Sequence, residues 1–211
     1  MRPLSFALIS VALSFLCGCE GGNGATPVPE LAVDVGAPAQ RPDLSFRSRL
    51  ALLDNGRRLG VGDPVQEALE FLPAPRKAYA FRELPPGFEE PYRAEGWETD
   101  AEGFGVISLD GKVVLTLRTQ EDASQTLIEE TVRTYTRDNR SLPPERVTGQ
   151  AAEYWFFERE SHRLMIAAVK DPNGKRSLTL ALGDVSVMDA LRMSPAKALQ
   201  DRDGSPPEAE S

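Results

Sequence analysis

The 211-residue chain has little of the residues that build metal sites, disulfides and nucleophilic active sites. It has two cysteines, Cys17 and Cys19, and one histidine, His162. So few thiols and imidazoles exclude the common zinc sites, which use three or four such ligands. Neither the G-x-S-x-G motif of hydrolases nor an H-x-x-x-H motif is present. We therefore expect no metal and no cofactor, and a function that is not catalytic.

Positive charge is also scarce. Lysine and arginine number 24 against 32 aspartate and glutamate residues, a formal net charge of -8 at pH 7. A nucleic-acid-binding protein needs clustered lysine and arginine side chains to neutralise phosphates. We therefore expect no nucleic-acid partner.

The one sustained apolar run is at the start of the chain. Residues 4–16 are apolar except for three serines, and Arg2 precedes them. The run is shorter than the roughly 20 residues that a transmembrane helix needs. A positive start, a short apolar stretch and a small-residue exit are typical of a secretory signal. We predict a signal peptide over residues 1–18.

The end of this segment, Leu16-Cys17-Gly18-Cys19, resembles the lipobox of bacterial lipoproteins. The resemblance implies cleavage before Cys19 and attachment of fatty chains, palmitate among them, to that cysteine. Two or more acyl chains anchor a protein stably to a bilayer. The protein would then face the periplasm or the exterior of a bacterial cell envelope, with inner or outer membrane left open. An ordinary secreted protein and an uncleaved helical anchor are the alternatives.

Composition divides the remainder into three segments. Residues 19–44 are rich in glycine and proline and predict a tether, which holds the domain some tens of ångströms from the bilayer. Residues 45–193 carry the strand and helix patterns of one globular domain, long enough to build a core without disulfides. Residues 194–211 are polar and proline-rich, and we expect a disordered tail.

Local patterns in the first half predict a strand, a helix and a hairpin. Residues 46–53 are strand-like and run into an Asp-Asn-Gly turn. Asp63 and Pro64 form a helix start, and the helix extends over residues 65–72. Residues 104–109 and 112–118 form a hairpin around an Asp-Gly turn.

The second half predicts the longest helix and three strands. Thr119 is a candidate N-cap for this helix, and Glu129 can pair with Arg133 four residues on. Asp184 caps a short final helix. The strands are predicted over residues 152–159, 162–170 and 176–182. Together the elements predict an α+β fold, mainly an antiparallel sheet with two or three helices packed on it.

Gly62-Asp63 and Gly183-Asp184 each precede a short helix, a weak sign of internal repetition. Residues 57–118, with a capped helix, a loop and a hairpin, also resemble the small module of the β-lactamase-inhibitor-protein type, found too in outer-membrane assembly lipoproteins. Those modules place two helices before their strands, whereas one is predicted here. The resemblance implies binding to proteins and transfers no functional residue.

One irregular stretch, residues 77–100, is rich in aromatic and acidic residues. Phe88, Tyr92 and Trp97 lie in it. Long structured loops often bind partners, and these residue types anchor interfaces. The three aromatics are thus a candidate binding surface. Alternatively, their rings pin the loop to the core.

Three functions follow. The leading hypothesis is a non-catalytic, membrane-anchored envelope lipoprotein that binds another envelope protein. The second is a membrane-tethered hydrolase that uses His162 or the carboxylates of the aromatic stretch, which would need a pocket gathering His162 with an acid and a hydroxyl. The third is a carrier of a small apolar ligand, which would need an internal cavity.

Overall fold

The computed structural model describes residues 41–44, 49–54, 56–71, 79–80, 88, 90–98, 101–140 and 142–203. The predicted signal peptide, Cys19 and nearly all of the predicted tether lie outside the described residues, and so do residues 204–211.

The described chain contains ten strands and four helices. The strands are β1 (Leu52–Asp54), β2 (Arg57–Leu59), β3 (Tyr79–Ala80), β4 (Tyr92–Glu98), β5 (Glu102–Leu109), β6 (Lys112–Gln120), β7 (Glu145–Thr148), β8 (Ala152–Arg159), β9 (His162–Lys170) and β10 (Arg176–Asp184). The helices are α1 (Val65–Phe71), α2 (Gln125–Asp138), α3 (Val185–Ala190) and α4 (Pro195–Asp203).

Eight of the strands form one antiparallel sheet in the order β3-β4-β5-β6-β10-β9-β8-β7, and β1 pairs separately with β2. The predicted α+β fold, mainly antiparallel sheet in a single domain, is confirmed. Two or three helices were predicted, whereas the described residues contain four. The additional helix is α4.

The large sheet is built from two similar halves. In each half a helix precedes an antiparallel meander of four strands: α1 with β3 to β6, and α2 with β7 to β10. The last strands of the halves, β6 and β10, pair antiparallel at the centre, for example Leu115 with Gly183. The topology therefore has an approximate two-fold relation. Gly183-Asp184 is not the counterpart of Gly62-Asp63, because the helix equivalent to α1 is α2.

Both faces of the sheet are covered. Successive side chains of a strand point to opposite faces, so Leu164 and Ile166 of β9 belong to one core and Met165 to the other. The first core contains residues from α1, α2 and the β1–β2 hairpin. The second contains residues from α3 and α4, together with Phe88. Burial on both sides explains why β8, β9 and β10 have apolar residues at successive positions.

One helix cap and one helix start were predicted at the right place, and a second cap was not. Asp184 caps α3, accepting a hydrogen bond from Ser186 N at 2.9 Å. Helix α1 also begins where predicted, just after Asp63 and Pro64, and Asp63 Oδ2 accepts a hydrogen bond from Gly60 N, ahead of the helix, at 2.7 Å. The prediction of Thr119 as the cap of α2 is wrong, because β6 continues through this residue and pairs Thr119 with Thr179 of β10. Ser124 caps α2 instead, through Leu127 N at 3.1 Å.

Two further predictions are corrected. The stretch over residues 77–100 is not wholly irregular, since β3 and β4 pair within it and β4 pairs with β5. The tail is not disordered from Ser194, since α4 follows at once and its Ala198 is buried in the second core. In both cases contacts with residues distant in sequence stabilise a segment whose own pattern is weak.

Candidate functional site

A cleft of about 930 Å³ opens between helix α2 and the end of the sheet formed by β7, β8 and β9. The helix forms one wall, and the turn that joins β7 to β8 forms the other. Its volume lies near the upper end of the roughly 300–1,000 Å³ range typical of ligand sites.

The cleft is strongly basic. Six of its side chains are lysine or arginine and two are glutamate, a local excess of four positive charges. The basic residues are Arg133, Arg137, Arg140, Arg146, Lys170 and Arg176. This contrasts with the whole chain, whose net charge is -8. A cleft lined by one sign of charge concentrates the field and attracts oppositely charged ligands.

The rotation of α2 places its arginines in the cleft. Tyr135 is buried and fixes this rotation, since Leu53 N donates a hydrogen bond to its hydroxyl oxygen at 3.0 Å. Burial raises the pKa of Tyr135 to about 12, so its hydroxyl stays protonated and neutral. Arg133 and Arg137, at positions i and i+4, then share one helix face, and Arg140 follows just beyond the helix end at Asp138. The positive charge of Arg137 in the last turn also interacts favourably with the helix dipole.

The floor of the cleft includes Trp155 of β8. Arg146 of β7 lies directly across the strand pair from it, with its guanidinium carbon 5.7 Å from the centre of a Trp155 ring. Arg146 Nη2 also donates to Glu153 Oε2 at 2.7 Å. Stacking and ion pairing together hold Arg146 in place. Glu153 offsets part of the Arg146 charge.

Four of the cations have no such partner. Within the described ranges, no carboxylate oxygen lies within 4.0 Å of a side-chain nitrogen of Arg133, Arg140, Lys170 or Arg176. The expected pair of Glu129 with Arg133 is not formed, because Glu129 accepts a hydrogen bond from Gln125 at 2.8 Å. These four charges are therefore available to an anionic ligand.

The predicted aromatic surface lies in the other half of the sheet. Phe88 is 1 % exposed and meets Tyr92 edge-on, with ring centroids 5.3 Å apart. Phe88 therefore fits the alternative interpretation, in which the aromatic ring packs in the core. Trp97 lies in β4 opposite Phe104, and its side chain is outside the described part. A binding role for Tyr92 and Trp97 stays a prediction, and none of the three lines the cleft.

His162 is buried at the start of β9, opposite Asp184 of β10. Burial lowers its pKa, while the charges of Asp184 and Glu160 act in the opposite direction. Its Nε2 has no hydrogen-bond partner among the described residues. Asp184 instead accepts from the backbone and the hydroxyl of Ser186, at 2.9 and 2.6 Å.

An acid and a hydroxyl therefore lie near His162, but in the arrangement of a helix cap. Nucleophilic catalysis needs the hydroxyl bonded to the imidazole. Here the hydroxyl of Ser186 donates its hydrogen bond to the carboxylate of Asp184 instead. Of the acidic residues in the aromatic stretch, Glu83, Glu89 and Asp100 lie outside the described residues.

A smaller crevice, about 240 Å³, lies among β1, α1, α2 and the centre of the sheet. Leu52, Phe71, Leu127 and Leu180 are among its lining residues. Its volume is below the usual range for small-molecule sites.

Within the residues that the structure describes, no group of three or more histidine, cysteine, aspartate or glutamate side chains could hold a metal ion. Over the same residues, every helix is too short or too polar to cross a bilayer.

Sequence reasoning missed the cleft. The spacing of Arg133 and Arg137 was the one local signal, because it places two cations on one helix face. Lys170 and Arg176 are more than 25 residues away in sequence, and only the order of the strands brings them to the same cleft.

No protein-family model matches the chain, and no curated protein matches it. Among solved structures, it is similar to a cysteine-rich secretory protein from Staphylococcus aureus, with 12 % sequence identity and a TM-score of 0.29. The match covers 52 % of this chain and 41 % of that chain. So slight a likeness carries no argument about fold or function.

Proposed function

We propose that this protein is a non-catalytic lipoprotein of the bacterial cell envelope that binds another envelope protein through its cationic cleft. The resemblance of residues 16–19 to a lipobox supports the anchor. The cleft supports the binding role.

The observation that carries the proposal is the set of four cations that have no carboxylate partner among the described residues, above a floor that contains Trp155. Arginine stays protonated in proteins and cannot serve as a general acid or base near neutral pH. Arginine and tryptophan are, however, the residue types that most often dominate the energy of protein interfaces. The residues of the cleft are thus suited to recognition and poorly suited to chemistry.

The predicted tether is consistent with this role. A glycine- and proline-rich segment such as residues 19–44 spans some tens of ångströms. The domain can therefore reach a partner beside the membrane while two acyl chains hold it to the bilayer.

The binding proposal is tested by recovery of partners from solubilised membranes with the full chain as bait. Arg133→Glu combined with Arg140→Glu reverses two cleft charges. Arg49→Glu combined with Arg93→Glu makes the same change in net charge on exposed residues outside the cleft. We expect a specific envelope protein to be lost with the first pair and retained with the second. Equal recovery with both pairs would contradict the proposal.

The anchor is tested separately by mass spectrometry of the mature amino terminus. We expect an acylated Cys19, and we expect a Cys19→Ser chain to leave the membrane fraction. An intact Met1, or a trimmed end without fatty chains, would remove the anchor from the proposal.

A tethered hydrolase and an apolar-ligand carrier remain predictions from the sequence. The burial of His162 does not favour a hydrolase, and the small volume of the apolar crevice does not favour a carrier.

A further inference from the structure

We infer that the cleft binds an extended, acidic segment of a polypeptide in which carboxylate side chains alternate with apolar ones. This inference rests on the proposed function and names the chemistry of the partner that the cleft accepts.

The spacing of the arginines fits such a segment. Arg133 and Arg137 lie along α2 with a rise of about 6 Å between them, and Arg140 follows just beyond the helix end. In an extended peptide, side chains on the same face repeat every 6.8 Å or so. Consecutive carboxylates of the peptide can therefore meet consecutive arginines of α2. A ligand with a single negative charge would leave most of these cations unused.

The apolar part of the cleft accounts for the alternation. Val132, Trp155 and Ala168 are among the lining residues and give the cleft apolar surface beside its cations. An extended peptide presents its other side chains to the opposite face, so its apolar residues can pack on this surface while its carboxylates face the cations. Inorganic phosphate could use the cations but not the floor.

The edge of the sheet favours a polypeptide over other anions. Strand β7 is the terminal strand of the large sheet, and the cleft lies beside it. Among the described strands it pairs with β8 alone, and Glu145, Arg146 and Thr148 are exposed. A peptide laid along such an edge gains main-chain hydrogen bonds. Nucleic acids and lipids have no backbone that pairs in this way.

The charge of the whole chain opposes large polyanions. At physiological salt, charges are screened beyond about 8 Å, so a short acidic peptide responds mainly to the cleft. An anionic bilayer or a long nucleic acid would also approach the surrounding surface, which gives the chain its net charge of -8. The cleft is thus selective for negative charge confined to a short segment.

The test uses the full chain in detergent micelles and a fluorescein-labelled octapeptide of alternating glutamate and leucine. Fluorescence anisotropy measures binding at low salt. We expect Arg133→Gln with Arg140→Gln to weaken binding on the order of tenfold. Arg49→Gln with Arg93→Gln, the matched control, should leave it unchanged. The same peptide with glutamine for glutamate should bind weakly to both.

Competitors separate the possible ligands. Inorganic phosphate and phosphatidylglycerol vesicles should displace the peptide poorly, whereas 0.5 M sodium chloride should release it. Equal affinity of the two variant pairs, equal affinity of the glutamine peptide, or vesicles that bind the cleft in place of the peptide would each overturn the inference. If the Arg133/Arg140 pair lowers the melting temperature, Lys170→Gln with Arg176→Gln replaces it.

The two proposals can fail separately. If the peptide does not bind but a membrane partner is still lost with the charge-reversed cleft, the ligand class is wrong and the binding function stands. If the partner is retained, the proposed function is wrong even when the peptide binds.

Discussion

Gly183 and Leu115 are paired across the central strands β10 and β6, and the glycine has no room for a side chain. A Cβ built on Gly183 would lie 2.6 Å from Leu115 Cδ1 and 2.9 Å from Met188 Cγ. The backbone oxygen of Val114 would lie 3.2 Å away. The absence of a Cβ thus lets helix α3, which carries Met188, pack closely on the junction of the two halves.

Gly183→Ala is therefore expected to destabilise the fold by about 1–3 kcal/mol, because an overpacked core must shift its side chains. Urea unfolding followed by circular dichroism measures the change. Leu115→Ala removes one of the clashing atoms, so the double variant should lose less stability than the two single losses added together. Strict additivity would show that Leu115 is not the obstacle.

A second prediction concerns Arg163, whose side chain is 5 % exposed. It donates to Glu158 and Asp189, each at 2.5 Å, and to the carbonyl oxygen of Met193 at 2.9 Å. The arginine thereby joins β9 to α3 and to the residues that follow it. A buried charge is costly when its partners are removed. We expect Glu158→Gln with Asp189→Asn to cost about 3 kcal/mol.

The single changes are the controls for this pair. Each leaves Arg163 one carboxylate, so Glu158→Gln or Asp189→Asn alone should cost about 1 kcal/mol. Denaturant midpoints give the comparison. A double variant as stable as either single variant would mean that Arg163 is adequately stabilised by the Met193 carbonyl group.

The third prediction is a pH dependence. Burial lowers the pKa of His162 from its ordinary value of 6.5, although Asp184 and Glu160 oppose the shift. Below pH 6.5 the unfolded chain therefore binds a proton that the folded chain does not, and stability falls as the pH is lowered until the folded pKa is reached. The contribution of His162 is fully present above pH 6.5.

His162→Leu isolates this effect, because it removes the only histidine. Unfolding free energies of both proteins at several pH values between 5 and 8 provide the test. We expect the variant to gain stability relative to the parent as the pH falls below 6.5. Parallel curves over the whole range would contradict the lowered pKa.

The fourth prediction concerns Glu153, which pairs with Arg146 inside the cleft. Glu153→Gln should strengthen binding of the acidic octapeptide by roughly threefold, because it frees a cation and removes a like charge. Glu70→Gln, on the exposed surface of α1 and outside the cleft, changes the net charge equally and is the control. Anisotropy titrations measure both affinities. A gain shared by the two variants would reflect net charge alone.

The strands that the sequence predicts well have strong local patterns. Strand β5, most of β6, and β8 and β9 begin and end within two residues of their predicted bounds, because alternating or continuous apolar residues are bounded by turns. Strands β3, β4 and β7 were missed. They are short, or carry glycine and charged residues, and they lie at or near the sheet edges, where pairing with a neighbour stabilises them.

The site was harder to predict than the fold. A helix places Arg133 and Arg137 together, so this part of the cleft can be read from residue spacing. Lys170 and Arg176 join them only once β9 and β10 are ordered in the sheet. Phe88 illustrates the opposite error. An aromatic residue in an acidic stretch suggested a contact surface, yet its ring is buried in the core.

The pairing of β6 with β10 also has a consequence for how the chain folds. Each meander consists of neighbouring hairpins and can form from local contacts, whereas Leu115 must meet a residue far along the chain at Gly183. Contacts between distant residues form slowly because a long loop must be closed first. We expect joining of the two meanders to limit the folding rate. Until they join, two apolar strand edges that the finished protein hides at its centre remain open to aggregation.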